Sequence, residues 1–320
     1  GAKANLKTFI VSRDNPKVSD QRNYFLSEII GSIQEIEKVL NYNKLDIEFA
    51  VDSQNKLHIF QVRPITVDHS DYELKGEILF SEILKNQKKF KSLQVCSPNI
   101  FGNRAIFGNM PDWNPAEIIG IKPKPLAFSL YRKIITDDVW AIQRFEFGYR
   151  DVRSVPLLLS FSGQPYVDVR ASLNSFIPAG ISKKLAKKLA NAYLDILIKE
   201  PIFHDKVEFK VAFTIWTPNF RSLAKKRFAN YDFTSEDLNE LESSLKKITL
   251  DALAYFDKEQ DSIKKLGSKR EDILKSKISK IDKIYSLIED CKKFGTLPFA
   301  HCARLGFVAR SFLNSLIDLK

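Results

Sequence analysis

The chain has 320 residues, 44% of them hydrophobic, and a formal charge of +11 at pH 7. That length and apolar content suit a folded protein of two domains and exclude a disordered or low-complexity chain. No apolar run reaches the roughly 18 residues needed to cross a bilayer, and no signal peptide precedes the first expected strand, so the expected compartment is the cytosol, with no membrane partner. Cys96, Cys291 and Cys302 are odd in number and widely spaced, which argues against a disulfide framework and a Cys-only zinc site. The positive charge sits largely on lysines such as Lys183, Lys184, Lys187 and Lys188, interleaved with acids. Solvated helix faces account for it more simply than a nucleic-acid surface does.

From the N-terminus, residues 8–12 read as a strand and 19–40 as a helix, with Phe25, Ile29, Ile33, Ile36 and Leu40 at helical spacing. The stretch LDIEFAVDSQNKLHIFQVRPIT, residues 45–66, then reads as a hairpin turning at Asp52–Asn55. Strand side chains alternate between faces, so Asp46 shares a face with Glu48, and Gln61 with Arg63. Ile47, Phe49, Val51, Leu57, Ile59 and Val62 supply the apolar alternation. If the register joins the polar pairs, two carboxylates, an amide and a guanidinium meet on one patch. Carboxylate oxygens are hard ligands for Mg²⁺ and a guanidinium grips phosphate oxygens through paired donors, so such a patch suits a divalent metal on a polyphosphate. An ordinary cross-strand salt bridge on a solvated face fits the same spacing.

The polar join VDHSDYELKG that follows marks a domain boundary: residues 1–67, a linker over 68–77, and a larger domain over 78–320. A helix is expected over 78–93 and a loop-rich, proline-rich stretch over 96–125, where Asn114–Pro115 fits a helix start. Residues 126–146 read as a helix and 157–169 as a second hairpin around Ser162, Gly163 and Gln164. Beyond 181 the pattern is helical. Thr234–Asp237 forms a capping-box start, with Leu238, Leu241, Leu245 and Ile248 on one face. Gly267 is expected to end that run, and Ser268–Glu271 to open the second arm of a long helical hairpin packing through Leu274, Ile278, Ile281, Tyr285 and Ile288. The fold class is therefore α+β.

Chemistry in the larger domain is densest in FGYRDVRSVPLLLSFSGQPYVDVRASLNSF, residues 147–176. Arg150, Arg153 and Arg170 crowd a segment that also offers Tyr149, Tyr166, Asp168 and Asn174. On one strand Tyr166, Asp168 and Arg170 would point the same way and could hold a polar or zwitterionic small molecule. An internal Asp–Arg pair that fixes the hairpin fits equally. His204, with Asp205, Lys206 and Glu208, suits either a polar pocket or a surface turn. His58 is expected to pack on the first hairpin, and His69 lies in the linker.

The pattern D-I-E-F-x(11)-Q-x-R-P at residues 46–64 resembles the C-terminal end of the ATP-grasp domain of the phosphoenolpyruvate synthase and pyruvate phosphate dikinase family. The resemblance implies that Glu48 and Gln61 help hold metal and nucleotide, that Arg63 contacts the phosphates, and that Asp46 is a neighbouring polar contributor. Its implied cofactors are ATP and Mg²⁺. The stretches DWNPAEIIG, KPLAFSLY and GQPYVDVR are similar to the family's middle segment, as in rifampin phosphotransferases, and look closest to a subgroup linked to capsular polysaccharide modification whose described member is an L-glutamine kinase. The resemblance implies that this segment binds the acceptor; read from the residues, Arg150, Arg153 and Arg170 are the catalytic candidates, at least one binding acceptor while another serves the incoming phosphoryl group, and Tyr166, Asp168, Asn174, His204, Glu208 and Arg304 are the candidate contacts to a small-molecule acceptor.

The family's glycine-rich loop and ATP lysine are not visible in a chain with 12 glycines. TLPFAHCARLGF, residues 296–307, is only faintly like its phosphohistidine element G-G-x-x-[ST]-H-x-A: it lacks the glycine pair, and Ala300 precedes His301. His301 then reads as a capping or packing histidine, and the phosphohistidine partner is expected on a C-terminal domain outside this chain. The expectation is a piece of an ATP-dependent dikinase that does not turn over ATP by itself. A non-catalytic adaptor or a basic nucleic-acid-binding module derived from the same fold is the other class.

Overall fold

The computed structural model describes residues 11, 24–54, 56–65, 76–95, 98–252 and 255–319, leaving aside the side chains of 24, 25 and 255–258. It is mixed α+β, with small antiparallel sheets and a helical C-terminal part. The chain divides into two units, Gly1–Glu73 and Leu74–Lys320. The strand expected over 8–12 lies outside the described residues except for Val11, which is not in a strand; Cys96, His69 and most of the expected linker also lie outside.

In the first unit a helix, α1 (Tyr24–Leu40), precedes the antiparallel strands β1 (Leu45–Val51) and β2 (Leu57–Pro64). Asp52 closes the turn by accepting from Gln54 N and Lys56 N, both at 2.9 Å. Asp46 pairs with Arg63 and Glu48 with Gln61; the register then slips, so that Phe49 faces Ile59 and Val51 faces Leu57. The slip leaves Phe60 unopposed, and the bulge it makes explains a parity puzzle in the sequence. Leu57 and Ile59 are odd-numbered and Val62 even-numbered, yet all three meet the face of Ile47, Phe49 and Val51. His58 does not pack as expected: it is exposed, with Nε2 2.8 Å from Asp52 Oδ2.

The second unit opens with α2 (Gly76–Leu93) and holds a three-stranded antiparallel sheet, order β3 (Phe107–Gly108), β5 (Gln164–Asp168), β4 (Leu158–Phe161). The β4–β5 turn places Ser162 and Gly163 at φ 47° and 83°, the left-handed pair that a two-residue hairpin needs. Short helices α3 (Pro115–Ile118), α4 (Pro125–Tyr131) and α5 (Val139–Glu146) come between β3 and β4 along the chain, and α6 (Val169–Asn174) follows β5. Further helices follow: α7 (Lys183–Lys199), α8 (Phe220–Arg227), α9 (Ser235–Ala252), α10 (Tyr255–Lys275), α11 (Lys280–Asp290) and α12 (Leu297–Asp318). The largest apolar cluster joins Leu173, Phe176 and Ile177 to Leu185, Leu189 and Tyr193 of α7 and to Leu241 and Leu245 of α9. Thr234 and Asp237 cap α9 reciprocally, and its expected apolar face is buried.

Two helix boundaries differ from the sequence reading. The stretch 126–146 is broken: a π-helical turn, Arg132–Thr136, separates α4 from α5, and Arg132 and Lys292 hold Asp137 and Asp138 at the break. At the other site α10 runs straight through Gly267, since an isolated helical glycine costs only about 1 kcal/mol. The break comes instead before Ser279, whose hydroxyl accepts from Asp282 N at 3.1 Å and starts α11. Ser268 is therefore mid-helix, and Leu274, Ile278, Ile281 and Tyr285 are exposed rather than packed.

Gly102 carries a sharp test of this packing. Its φ is 120°, and an added Cβ would lie 2.6 Å from Leu194 Cδ1 and 3.1 Å from Arg170 Cδ. Gly102→Ala is expected to destabilise the second unit by more than about 1 kcal/mol, combining backbone strain with overpacking. Urea unfolding of the variant measures this; an unchanged midpoint would show that the loop relaxes freely.

Candidate functional site

On the first hairpin the structure brings all four expected polar residues to one strand face. Arg63 Nη2 donates to Glu48 Oε1 at 2.7 Å and Arg63 Nε lies 3.8 Å from Asp46 Oδ2. All are solvent-exposed, and a single exposed ion pair of this kind is worth under about 1 kcal/mol. Two carboxylates and an amide oxygen on one face are hard donors of the kind Mg²⁺ takes, and Arg63 is already paired with both carboxylates. Among the described residues no group of three or more His, Cys, Asp or Glu side chains is arranged to hold a metal by itself.

Of the residues expected around the second hairpin, Arg150 and Asn174 meet, and Asn174 Nδ2 also donates to the Arg170 carbonyl at 2.8 Å, while Arg153, Tyr166 and Asp168 engage separate partners. β5 ends at Asp168, which caps α6 by accepting from Ala171 N at 3.1 Å; burial pushes its carboxyl up. Arg170 is thus on a helix, not on the strand face of Tyr166, and donates to the carbonyls of Leu93 and Val95 at 2.9 and 3.2 Å. Tyr166 donates to Gln164 at 3.2 Å. Arg153 is exposed and chelates Asp151, with contacts of 2.9 and 2.6 Å. Arg150 stacks on Phe101, its guanidinium carbon 3.9 Å from the ring centre, and donates to Asn174 Oδ1 at 2.5 Å. His204 is exposed, in the turn after a 3₁₀ segment, Pro201–Phe203.

Glu208 and Arg304, by contrast, meet deep inside the second unit. Arg304 Nη2 lies 3.1 Å from Glu208 Oε2, and the Arg304 side chain is 2% exposed. Arg144, 5% exposed, donates to Asp112 Oδ1 at 2.8 Å and lies 3.8 Å from Glu208 Oε1. Ser172 Oγ donates to the other Asp112 oxygen at 2.7 Å. Both guanidiniums sit over Phe176, at 4.3 and 5.0 Å from the ring centre. Two cations and two carboxylates therefore form one buried, neutral cluster.

Local structure explains how these groups reach one place. On α5 the buried stripe is Trp140, Gln143, Arg144 and then Phe147, a helical spacing that aims Arg144 into the core. On α12 Ala300, His301, Arg304 and Val308 make the matching stripe. Glu208 belongs to a π-helical segment, Val207–Val211, and Asp112 has a left-handed backbone, φ 58°. Both irregularities are of the sort that re-aims a side chain at a functional site.

The cluster has donors to spare. Arg304 Nε and Nη1, Arg144 Nε, Gln143 Nε2 and Trp113 Nε1 are buried and make no hydrogen bond among the described residues. Buried donors without acceptors cost about 1–3 kcal/mol each, and Glu208 Oε2 is likewise without a hydrogen bond, so a buried water or another polar group among them would be favoured. Burial pulls the Arg144 guanidinium down, while Asp112 and Glu208 oppose that shift. Burial raises the Tyr149 hydroxyl, against the pull of Arg304 and Arg144; that hydroxyl donates to the Thr214 carbonyl. Asp112, Arg144 and Ser172 were not singled out in the sequence. The available signal was a polar residue inside an apolar helical stripe, at Arg144 and again at His301 and Arg304. Comparison with protein-family models, curated proteins and solved structures finds no match.

Proposed function

We propose that the chain is part of an ATP-dependent phosphotransferase, in which the first hairpin ends an ATP-grasp-type nucleotide domain and the second unit binds a small polar acceptor. In this reading ATP and water yield AMP and phosphate while a histidine on a separate C-terminal domain carries the phosphoryl group to the acceptor. The observation that carries the proposal is the hairpin register, which sets Asp46 and Glu48 against Arg63 and Gln61 on one face. The opposite face, with Phe49 and Ile59 exposed, is the side that the rest of a nucleotide domain would cover.

Bound Mg²⁺ would neutralise phosphate charge beside Glu48 and Gln61. Arg63 grips phosphate oxygens, and Asp46 keeps its guanidinium oriented. In the second unit the Asp112, Arg144, Glu208 and Arg304 cluster offers both signs of charge, which suits a zwitterionic acceptor such as an amino acid: guanidinium to carboxylate, carboxylate to ammonium. Phosphoryl transfer asks the protein chiefly for positioning and charge neutralisation, and a rigid buried cluster supplies both.

Arg63→Ala in the full-length enzyme tests the nucleotide half. AMP formation is expected to be lost while acceptor binding persists, because the substitution removes a phosphate contact and no core packing. Wild-type AMP release in that variant would return the four residues to a surface ion-pair role.

A further inference from the structure

His301 is enclosed by carboxylates in a way the cluster around Arg304 does not require. Its Nε2 lies 3.2 Å from Glu146 Oε2 at the end of α5, and its Nδ1 lies 3.0 Å from Glu259 Oε1 on α10. The imidazole is 1% exposed and Glu259 4%, whereas Glu146 reaches solvent at 35%. The Phe147 ring lies alongside, centroids 5.2 Å apart. Three helices thus meet through one side chain.

Proton counting decides its state. A neutral imidazole has one N–H and one lone pair, so it can donate to only one of the two carboxylates and presents a lone pair to the other. An imidazolium donates to both. Burial alone disfavours the cation, while two carboxylates at ion-pair distance favour it. Among the described residues, the carboxylates that face His301 are Glu146 from α5 and Glu259 from α10, with Cys302 next to it and Arg304 three residues on along α12. The Cys302 thiol is pushed up first by burial and then by Glu259; Arg304 is engaged by Glu208.

We propose that Glu146 and Glu259 hold His301 as an imidazolium, and that this link joining α5, α10 and α12 positions Arg304, one helical turn further along α12. His301 is a positioning residue here, not a phosphoryl carrier. The protonation state stands on geometry alone; its value to catalysis rests on the reading of Arg304 as part of the acceptor site. On this proposal the stabilisation is complete where His301 is fully protonated, below the ordinary histidine range near about 6.5. It is lost as the imidazolium gives up its proton at higher pH. Unit 2 should therefore loosen on the alkaline side.

The test is ¹⁵N NMR of the whole chain labelled at histidine and arginine. There are four histidines, so His301→Asn assigns the signal. At pH 7.5 both ring nitrogens of His301 are expected to show the imidazolium pattern. Glu259→Gln, which keeps the shape and can donate to Nδ1, is expected to lower the His301 midpoint by roughly one pH unit or more. The Arg304 Nε signal should move with the same midpoint in each protein. A neutral ring at pH 7.5, with the proton on a carboxyl instead, overturns the imidazolium. An Arg304 signal indifferent to the His301 midpoint overturns the positioning role. Neither readout needs a bound acceptor, so failure of the acceptor reading would leave both results standing.

Discussion

Asp112→Ala is expected to destabilise the second unit by about 3–5 kcal/mol, the largest effect of any single substitution proposed for this protein. Asp112 is 2% exposed and is the close partner of Arg144, whose other carboxylate, on Glu208, is 3.8 Å away. Removing it leaves a buried guanidinium short of an anion and leaves the Ser172 hydroxyl without its acceptor. A buried charge deprived of its partner costs far more than the pair itself contributes. The double variant Asp112→Leu with Arg144→Met removes both charges together and is expected to recover much of the loss, since a buried pair is often no better than well-packed apolar groups. Urea unfolding followed by circular dichroism gives both values. If Asp112→Ala costs less than about 1 kcal/mol, the behaviour of an exposed pair, the cluster is hydrated and the buried reading fails.

Arg304→Lys carries the second large effect, this time on activity. Lys keeps the charge but loses the planar fork, so on the proposed function it would lose a bidentate contact to an acceptor carboxylate or to the incoming phosphoryl group. That loss should cost about 1.5–3 kcal/mol, roughly one to two orders of magnitude in acceptor phosphorylation. Formation of AMP by the nucleotide half of the full-length enzyme should be unchanged. Two of the other arginines provide the controls. Arg153→Lys changes an exposed chelate to Asp151 and is expected to leave both half-reactions intact. Arg170→Lys loses donations to the Leu93 and Val95 carbonyls and is expected to lower stability without selectivity between the half-reactions. Selective failure of Arg150→Lys instead of Arg304→Lys would move the acceptor site to the Arg150, Phe101 and Asn174 group.

Local order was legible in the residues themselves. Alternation specified both hairpins, the Thr234–Asp237 pattern specified the start of α9, and the apolar spacing of Leu238, Leu241, Leu245 and Ile248 specified its buried face, because each depends on interactions within a few residues. The polar face of β1 and β2 was equally legible, although the bulge at Phe60 was visible only as a break in parity. Helix ends were less so: a glycine permits a stop without imposing one, and α10 continues through Gly267 because its neighbours favour it. The buried cluster belongs to the tertiary structure. Asp112, Arg144, Ser172, Glu208 and Arg304 come from five separate segments, and no spacing rule relates them. A π-helical turn aims Glu208 inward, and the packing of α12 against α5 brings His301 beside Glu146. Arg150, Arg153 and Arg170 are close in sequence yet engage different partners, since the change from strand to helix at Asp168 turns Arg170 away. Sequence proximity sets which side chains are near along the chain; which charges share a low-dielectric interior is decided only when distant helices close over them.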